Sequence, residues 1–382
     1  YQVGSRDETP EQTGFAHLFE HFMFEGSANI PEFDTPLQNA GGENNAFTST
    51  DITNYYDILP AANLETTFWL ESDRMLSLAF EQECLDTQKS VVMEEFKEHY
   101  INQPYGDVWH KMSALAYKVH PYQWPVIGKD LSHIEKVQMQ SAKDFFFKYY
   151  RPNNAVLVVA GNVKTDEVKQ LAEKWVGGIP SGEKFERNIP LEPLQNETRR
   201  LEIKADVPVN AIYIAYKMCN RLHADYHATD LLRDMLSTGE SSRLYQELVK
   251  EKKLFSSVAA YTTETIDNGL LMVEGKLNEG VTMKVAEVAI KQVLNELVNQ
   301  APAAEELEKV KNKMESYIAF GDTNILNRAM NLAYFEMLGN AAWINNEIDK
   351  YRAVTSADIQ QVASTIFKDS NANIIYYLSN NN

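Results

Sequence analysis

The run His17-Leu18-Phe19-Glu20-His21 holds the densest chemistry in this chain. On an α-helix, side chains four apart stand one turn apart on one face, so both imidazoles can reach a single ion. Glu20 lies on that face too, three residues after His17, close enough to a metal-bound water to take its proton. The order H-x-x-E-H inverts the H-E-x-x-H of the zincins. Around it Phe15, Ala16, Leu18, Phe19, Phe22, Met23 and Phe24 are apolar, and polar groups embedded in such a stretch need partners. Metal-assisted hydrolysis is the chemistry this pattern suits.

A catalytic zinc takes three protein ligands and keeps one position for water, so two histidines demand a third ligand from elsewhere. The acidic stretch 91–99 offers Glu94, Glu95, Glu98 and His99, and spacing does not choose among them. A two-histidine, one-carboxylate iron site shares this ligand set, but it gives Glu20 no role. His223 and His227 stand four apart with Asp230 three further on. That pair lacks a glutamate in the base position and falls at a helix start. His110, His120 and His133 stand singly, Gly41-Gly42 reads as a turn, and no phosphate loop, serine elbow or paired-cysteine motif appears.

Several elements must position these residues. Thr9-Pro10 with Gln12 reads as a helix start, followed by an apolar helix from Gly14 to Glu25 that Gly26 stops. Residues 45–50 and 55–59 read as strands, 61–80 and 86–100 as helices. Further helices run to Tyr149, Ala155–Ala160 is a fully apolar strand, and Thr165–Trp175 is an amphipathic helix. Gly177–Glu197, rich in Gly, Pro and charge, reads as a linker. Beyond it the order recurs: two strands over 200–218, a helix over 224–236, and a last strand over 373–378. Matching Gly26 to Gly239 and Asn154 to Asn371 gives offsets of 213 and 217 residues, the mark of an internal duplication. Under that register His17, Glu20 and His21 face Asp230, Arg233 and Asp234, so the site exists in one half only.

Length and composition bound the rest. The 382 residues are 44% hydrophobic and 24% charged, which is globular usage with room for two domains. An excess of 54 acidic over 36 basic residues, net −18, argues against a nucleic-acid groove or an anionic membrane as partner. Two cysteines, Cys84 and Cys219, are too few for a disulfide scaffold or thiolate cage, and two buried free thiols are expected. No apolar run approaches the ~20 residues of a membrane span. The compartment, cytoplasmic or periplasmic, stays open.

The segments GSRDE (4–8), GFAHLFEHFMFEGS (14–27), NAFTSTDITNYY (45–56) and QKSVVMEEFKE (88–98) together resemble the pitrilysin/insulinase family of metallopeptidases. Weaker likeness extends through RPNNAVLVVAGNV (151–163) and GESSRLYQELVKEKKL (239–254) to cover essentially the whole chain. The resemblance implies one zinc ion per chain on His17, His21 and Glu95, with Glu20 as general base. It implies that a peptide is laid as an added strand against Asn45, Ala46 and Phe47. The fold implied is α+β: two tandem homologous α/β domains of half-barrel type, mixed and antiparallel sheets with helices on one side, in a clam-shell. That gives a zinc-binding catalytic domain over 1–180, a linker over 181–198 and a non-catalytic duplicate over 199–382.

Three departures from the family pattern stand out. Gln88 replaces a glutamate seven residues before the third ligand and would touch the site from outside. Val249 and Ser256 occupy the positions of an Arg and a Tyr that contact the substrate carbonyl. A first strand pair of about 30 residues, usual in the family unit, is missing ahead of GSRDE. The expected activity is endopeptidase cleavage of unfolded polypeptide. The alternative is a partner-dependent or non-catalytic peptide-binding subunit, in a homodimer or a heterodimer with a paralogue.

Overall fold

The computed structural model describes residues 1–380. In chain order its main elements are α1 (Phe15–Phe22), α2 (Asp34–Asn39), β1 (Glu43–Thr48), β2 (Thr53–Ile58), α3 (Leu64–Leu76), α4 (Gln82–Phe96), α5 (Val108–Ala116), α6 (Leu131–Glu135), α7 (Met139–Tyr149) and α8 (Thr165–Trp175). Then come β3 (Arg199–Ala205), β4 (Ala211–Lys217), α9 (Tyr226–Ser237), β5 (Phe255–Thr262), β6 (Leu270–Leu277), α10 (Met283–Asn299), α11 (Ala304–Gly321), α12 (Ile325–Leu338), α13 (Glu347–Ala353), α14 (Ser356–Ile366) and β7 (Ala372–Ser379). No helix among the described residues is long and apolar enough to cross a membrane.

The chain divides into two compact units that exchange segments. The first comprises Tyr1–Gln103, Val119–Leu191 and Thr323–Ala341; the second comprises Pro104–Lys118, Glu192–Asp322 and Ala342–Asn382. Both are α+β. The order helix, hairpin, helix, helix occurs as α1, β1–β2, α3, α4 and again as α9, β5–β6, α10, α11, and α1 packs on α4 as α9 packs on α11.

In the first unit, Phe15, Leu18, Phe19 and Phe22 recur at i, i+3, i+4 and i+7 and bury one face of α1. They pack against Leu85 and Val92 of α4 and Phe146 and Tyr149 of α7. Each such side chain contributes about 1.5–3 kcal/mol on burial, so the opposite face, with His17, Glu20 and His21, is fixed by what its neighbours bury. The β1–β2 hairpin pairs antiparallel from Glu43↔Ile58 to Thr48↔Thr53. Behind it Arg74 of α3 is buried, ion-paired to Glu71, with its guanidinium 4.2 Å from the Phe33 ring and 4.6 Å from Tyr55.

The second unit holds a five-stranded mixed sheet in the order β3-β7-β4-β6-β5, with β3 parallel to β7 and the other pairs antiparallel. Alternation places Ile212, Ile214 and Tyr216 of β4 on the face packed in the helical core of α9, α10 and α14. Tyr213 and Tyr377 point to the other face, where Tyr105 packs on both rings and Asp107 accepts from the Tyr377 hydroxyl at 2.9 Å. Segment 104–118 thus covers that face, with α5 lying against β3, β4 and β7.

Three expectations are corrected. Thr9 starts no helix: Thr9 and Gln12 close a turn, the Gln12 N–H donating to Thr9 O at 3.0 Å, and α1 begins only at Phe15. Ala155–Ala160 is not a strand. Its counterpart β7 lies between β3 and β4, whereas among the described residues β1 and β2 pair only with each other and no strand beside 155–160 completes a ladder. Cys84 and Cys219 are free thiols, half-buried rather than buried.

Candidate metal centre

The entry to α1 decides where its polar face points. Gly14 precedes the helix at φ +86, and a Cβ there would meet Ile134 Cδ1 at 2.6 Å and Ile127 O at 2.7 Å, so only glycine fits. The orphan N–H groups of the first turn are taken by a side chain from outside the helix. Glu8, 8% exposed, accepts from Gly14 N and Ala16 N, each at 2.9 Å. A Glu8→Gln side chain would turn its amide NH₂ against one of these donors. Its expected cost is about 1–3 kcal/mol, read as a lower thermal midpoint; an unchanged midpoint would refute the cap.

From that start, His17 and His21 project side by side, their rings edge to face at 4.9 Å between centroids. Glu95 meets them from α4. Its Oε2 lies 3.8 Å from His17 Nε2 and 3.5 Å from His21 Nε2. Among the described residues these three form the single group of histidine, cysteine or carboxylate side chains that could hold a metal, with ligand atoms within 4.8 Å of one another. Tetrahedral zinc with bonds of about 2.0–2.1 Å sets its ligand atoms roughly 3.3–3.5 Å apart, so the donor set fits with small adjustment. Burial, opposed by Glu95 and aided by His21, pulls the His17 pKa down to about 4, which keeps that imidazole neutral, as a ligand must be. Hydrogen bonding to His21 holds Glu95 below the usual carboxylate range, against the pull of burial. His17 Nδ1 is buried without a hydrogen-bond partner among the described residues, so packing and the Nε2 contact to Glu95 orient that ring.

Glu20 stays out of this cluster. Thr48, the last residue of β1, donates its hydroxyl to Glu20 Oε2 at 2.5 Å. Burial raises the Glu20 pKa above its ordinary value, and the Thr48 hydrogen bond opposes the rise.

Other residues singled out in the sequence fall at differing distances from this chemistry. Glu94 is exposed and pairs with Lys97. Gln88 donates to Glu25 at 2.6 Å and hydrogen-bonds none of the three clustered side chains. Asn45, Ala46 and Phe47 lie on β1, whose outer edge pairs with no strand among the described residues; Phe47 is 41% exposed. In the second unit Val249 packs against the apolar core, and the Ser256 hydroxyl donates to Lys276 O at 3.2 Å. His227 is buried against Glu347, Nε2 to Oε2 2.9 Å, and among the described residues belongs to no group that could hold a metal. On α9, Arg233 pairs with both Asp230 and Asp234, so the face corresponding to the His17–His21 face carries its own cation.

Sequence reasoning missed Glu8 and Thr48, although both stand inside the distinctive segments GSRDE and NAFTSTDITNYY. The signal for Glu8 was a carboxylate a few residues ahead of a glycine-led helix; for Thr48 a lone hydroxyl gave none.

Comparison with known proteins finds relatives that span nearly the whole chain. A family model described as insulinase (peptidase family M16) matches residues 2–130, and one described as the peptidase M16 inactive domain matches 136–314. The zinc protease PqqE of Helicobacter pylori is 28% identical, covering 98% of this chain and 86% of that protein. The uncharacterized zinc protease YmxG of Bacillus subtilis is 26% identical, over 97% of this chain and 90% of its own. A crystal structure of a protease from Helicobacter pylori superposes with a TM-score of 0.92 at 27% identity, covering 99% of this chain and 92% of that one.

Proposed function

The chain belongs to the insulinase family of peptidases, M16, and on that footing we propose that it is a zinc-dependent metalloendopeptidase acting on unfolded peptides. The observation that carries this reading is the meeting of His17, His21 and Glu95 beside, but not including, Glu20. These three side chains would hold the zinc, leaving a position open for water. When bound, zinc supplies a Lewis acid that polarises a carbonyl and lowers the pKa of water toward about 7. Glu20 takes the proton of the attacking water and passes it to the leaving amine. The open edge of β1 at Asn45, Ala46 and Phe47 receives the peptide backbone as an added strand, a mode that tolerates many sequences.

A second reading, dependence on a partner chain, is favoured by one observation. Val249 is apolar and packed, and the Ser256 hydroxyl is already committed to Lys276 O. Neither offers a donor for a developing oxyanion, and loss of one such donor costs roughly 10²–10³ in rate. The purified protein is to be assayed on an unstructured fluorogenic peptide before and after chelation and after zinc is restored. Cleavage that chelation abolishes and zinc restores is expected. Stoichiometric zinc without cleavage would overturn independent activity in favour of the partner-dependent reading, and cleavage untouched by chelation would sink the metallopeptidase assignment.

A further inference from the structure

We propose that Thr48 is a positioning residue for Glu20, tying the proton acceptor to the strand that takes the peptide. The inference rests on the reading of Glu20 as base. Among the described residues Thr48 is the one residue that hydrogen-bonds the Glu20 carboxylate, its hydroxyl donating to Oε2 at 2.5 Å and its backbone N–H adding a second bond. Thr48 is itself held by a rigid surround. Its strand partner Thr53 is fully buried and donates its hydroxyl to Val3 O at 3.0 Å. The turn beyond is closed by Ser49, whose N–H donates to Ile52 O at 2.8 Å and whose hydroxyl accepts from Asp51 N and Ile52 N. The GSRDE segment grips the same turn: Arg6 N donates to Thr50 O at 2.9 Å, and a Cβ on Gly4 would lie 2.5 Å from Thr50 C. Asp51 is buried between Arg6 Nη1 at 2.8 Å and the Tyr122 hydroxyl at 2.6 Å.

A side chain that orients another does so only if its own rotamer is locked. Thr48 meets that condition through its backbone, pinned on the β1–β2 ladder one residue after Phe47. A peptide added to the outer edge of β1 would stiffen the strand that carries Thr48, and so hold Glu20 in line when substrate is present. Misplacement of a catalytic group by about 1 Å costs on the order of 10²-fold, which sets the size of effect to expect.

The test compares Thr48→Val, which keeps the shape and removes the hydroxyl, with Thr48→Ser, which keeps the hydroxyl. Zinc content and thermal midpoint are measured on each protein beside steady-state kinetics. Thr48→Val is expected to lower kcat about 10- to 100-fold with KM and zinc content near wild type, and Thr48→Ser to return kcat to within a few-fold. Wild-type kcat in Thr48→Val, or a Thr48→Ser protein as slow as Thr48→Val, would overturn the inference. A Thr48→Val protein that loses zinc or its thermal transition would also overturn it, because the role would then be structural. Glu20→Gln is run in the same assay: if it turns over like wild type, the base assignment falls, a result distinct from failure at Thr48 alone.

Discussion

Glu20→Gln protein is expected to bind one zinc per chain as tightly as wild type and to cleave unstructured peptides roughly 10²–10⁴-fold more slowly. The two halves of that expectation come from separate observations. Zinc binding should survive because Glu20 lies outside the group formed by His17, His21 and Glu95, and glutamine preserves the helix and its apolar packing. Turnover should collapse because an amide cannot take a proton from water. Burial holds the Glu20 carboxyl above its usual range, which strengthens it as an acceptor relative to a solvated glutamate. Metal analysis alongside peptide kinetics checks both halves at once. Undiminished turnover would remove Glu20 from the mechanism, and loss of zinc would mean that it acts as a ligand.

The second large effect is expected on α4. Glu95→Gln should weaken zinc binding by at least roughly 100-fold, since loss of even an outer partner of a ligand costs 10- to 100-fold. The neighbouring Glu94→Gln should leave affinity unchanged, because Glu94 faces solvent and pairs with Lys97. A chromophoric chelator competing for the metal measures both proteins without reference to activity. Equal losses, or a loss at Glu94 alone, would overturn the choice of Glu95 as third ligand.

That choice shows where the sequence was legible and where it stopped. The pair on α1 could be read from one dimension because both histidines lie on one short helix, where spacing is geometry. Spacing could not single out Glu95, since Glu94, Glu95, Glu98 and His99 are equivalent until α4 is laid against α1; there the resemblance to a family, not the pattern of this one chain, pointed to it. The helix Thr165–Trp175 was legible to the residue from its apolar period and its acidic first turn, Asp166 and Glu167. The start of α1 was not, because local capping rules look at neighbours within three residues. The cap here is Glu8, reaching back across a turn to Gly14 and Ala16. Ala155–Ala160 misled for a different reason. An apolar β-branched run states a preference for a pleated surface but says nothing about whether partner strands are present.

The passage of segment 104–118 into the second unit has a consequence for how the gene can change. Tyr377 and Asp107 share a hydrogen bond across 270 positions of sequence, and Tyr105 bonds Val209 O at 2.6 Å across 104. Thr323–Ala341 makes the reverse journey into the first unit. A recombination breakpoint in the exposed stretch near Leu191 would therefore separate residues that must match. The first half would arrive carrying a helix, α5, fitted to a sheet it had left behind. The halves are bound to drift together, substitution answering substitution, and cannot be traded between homologues as independent cassettes.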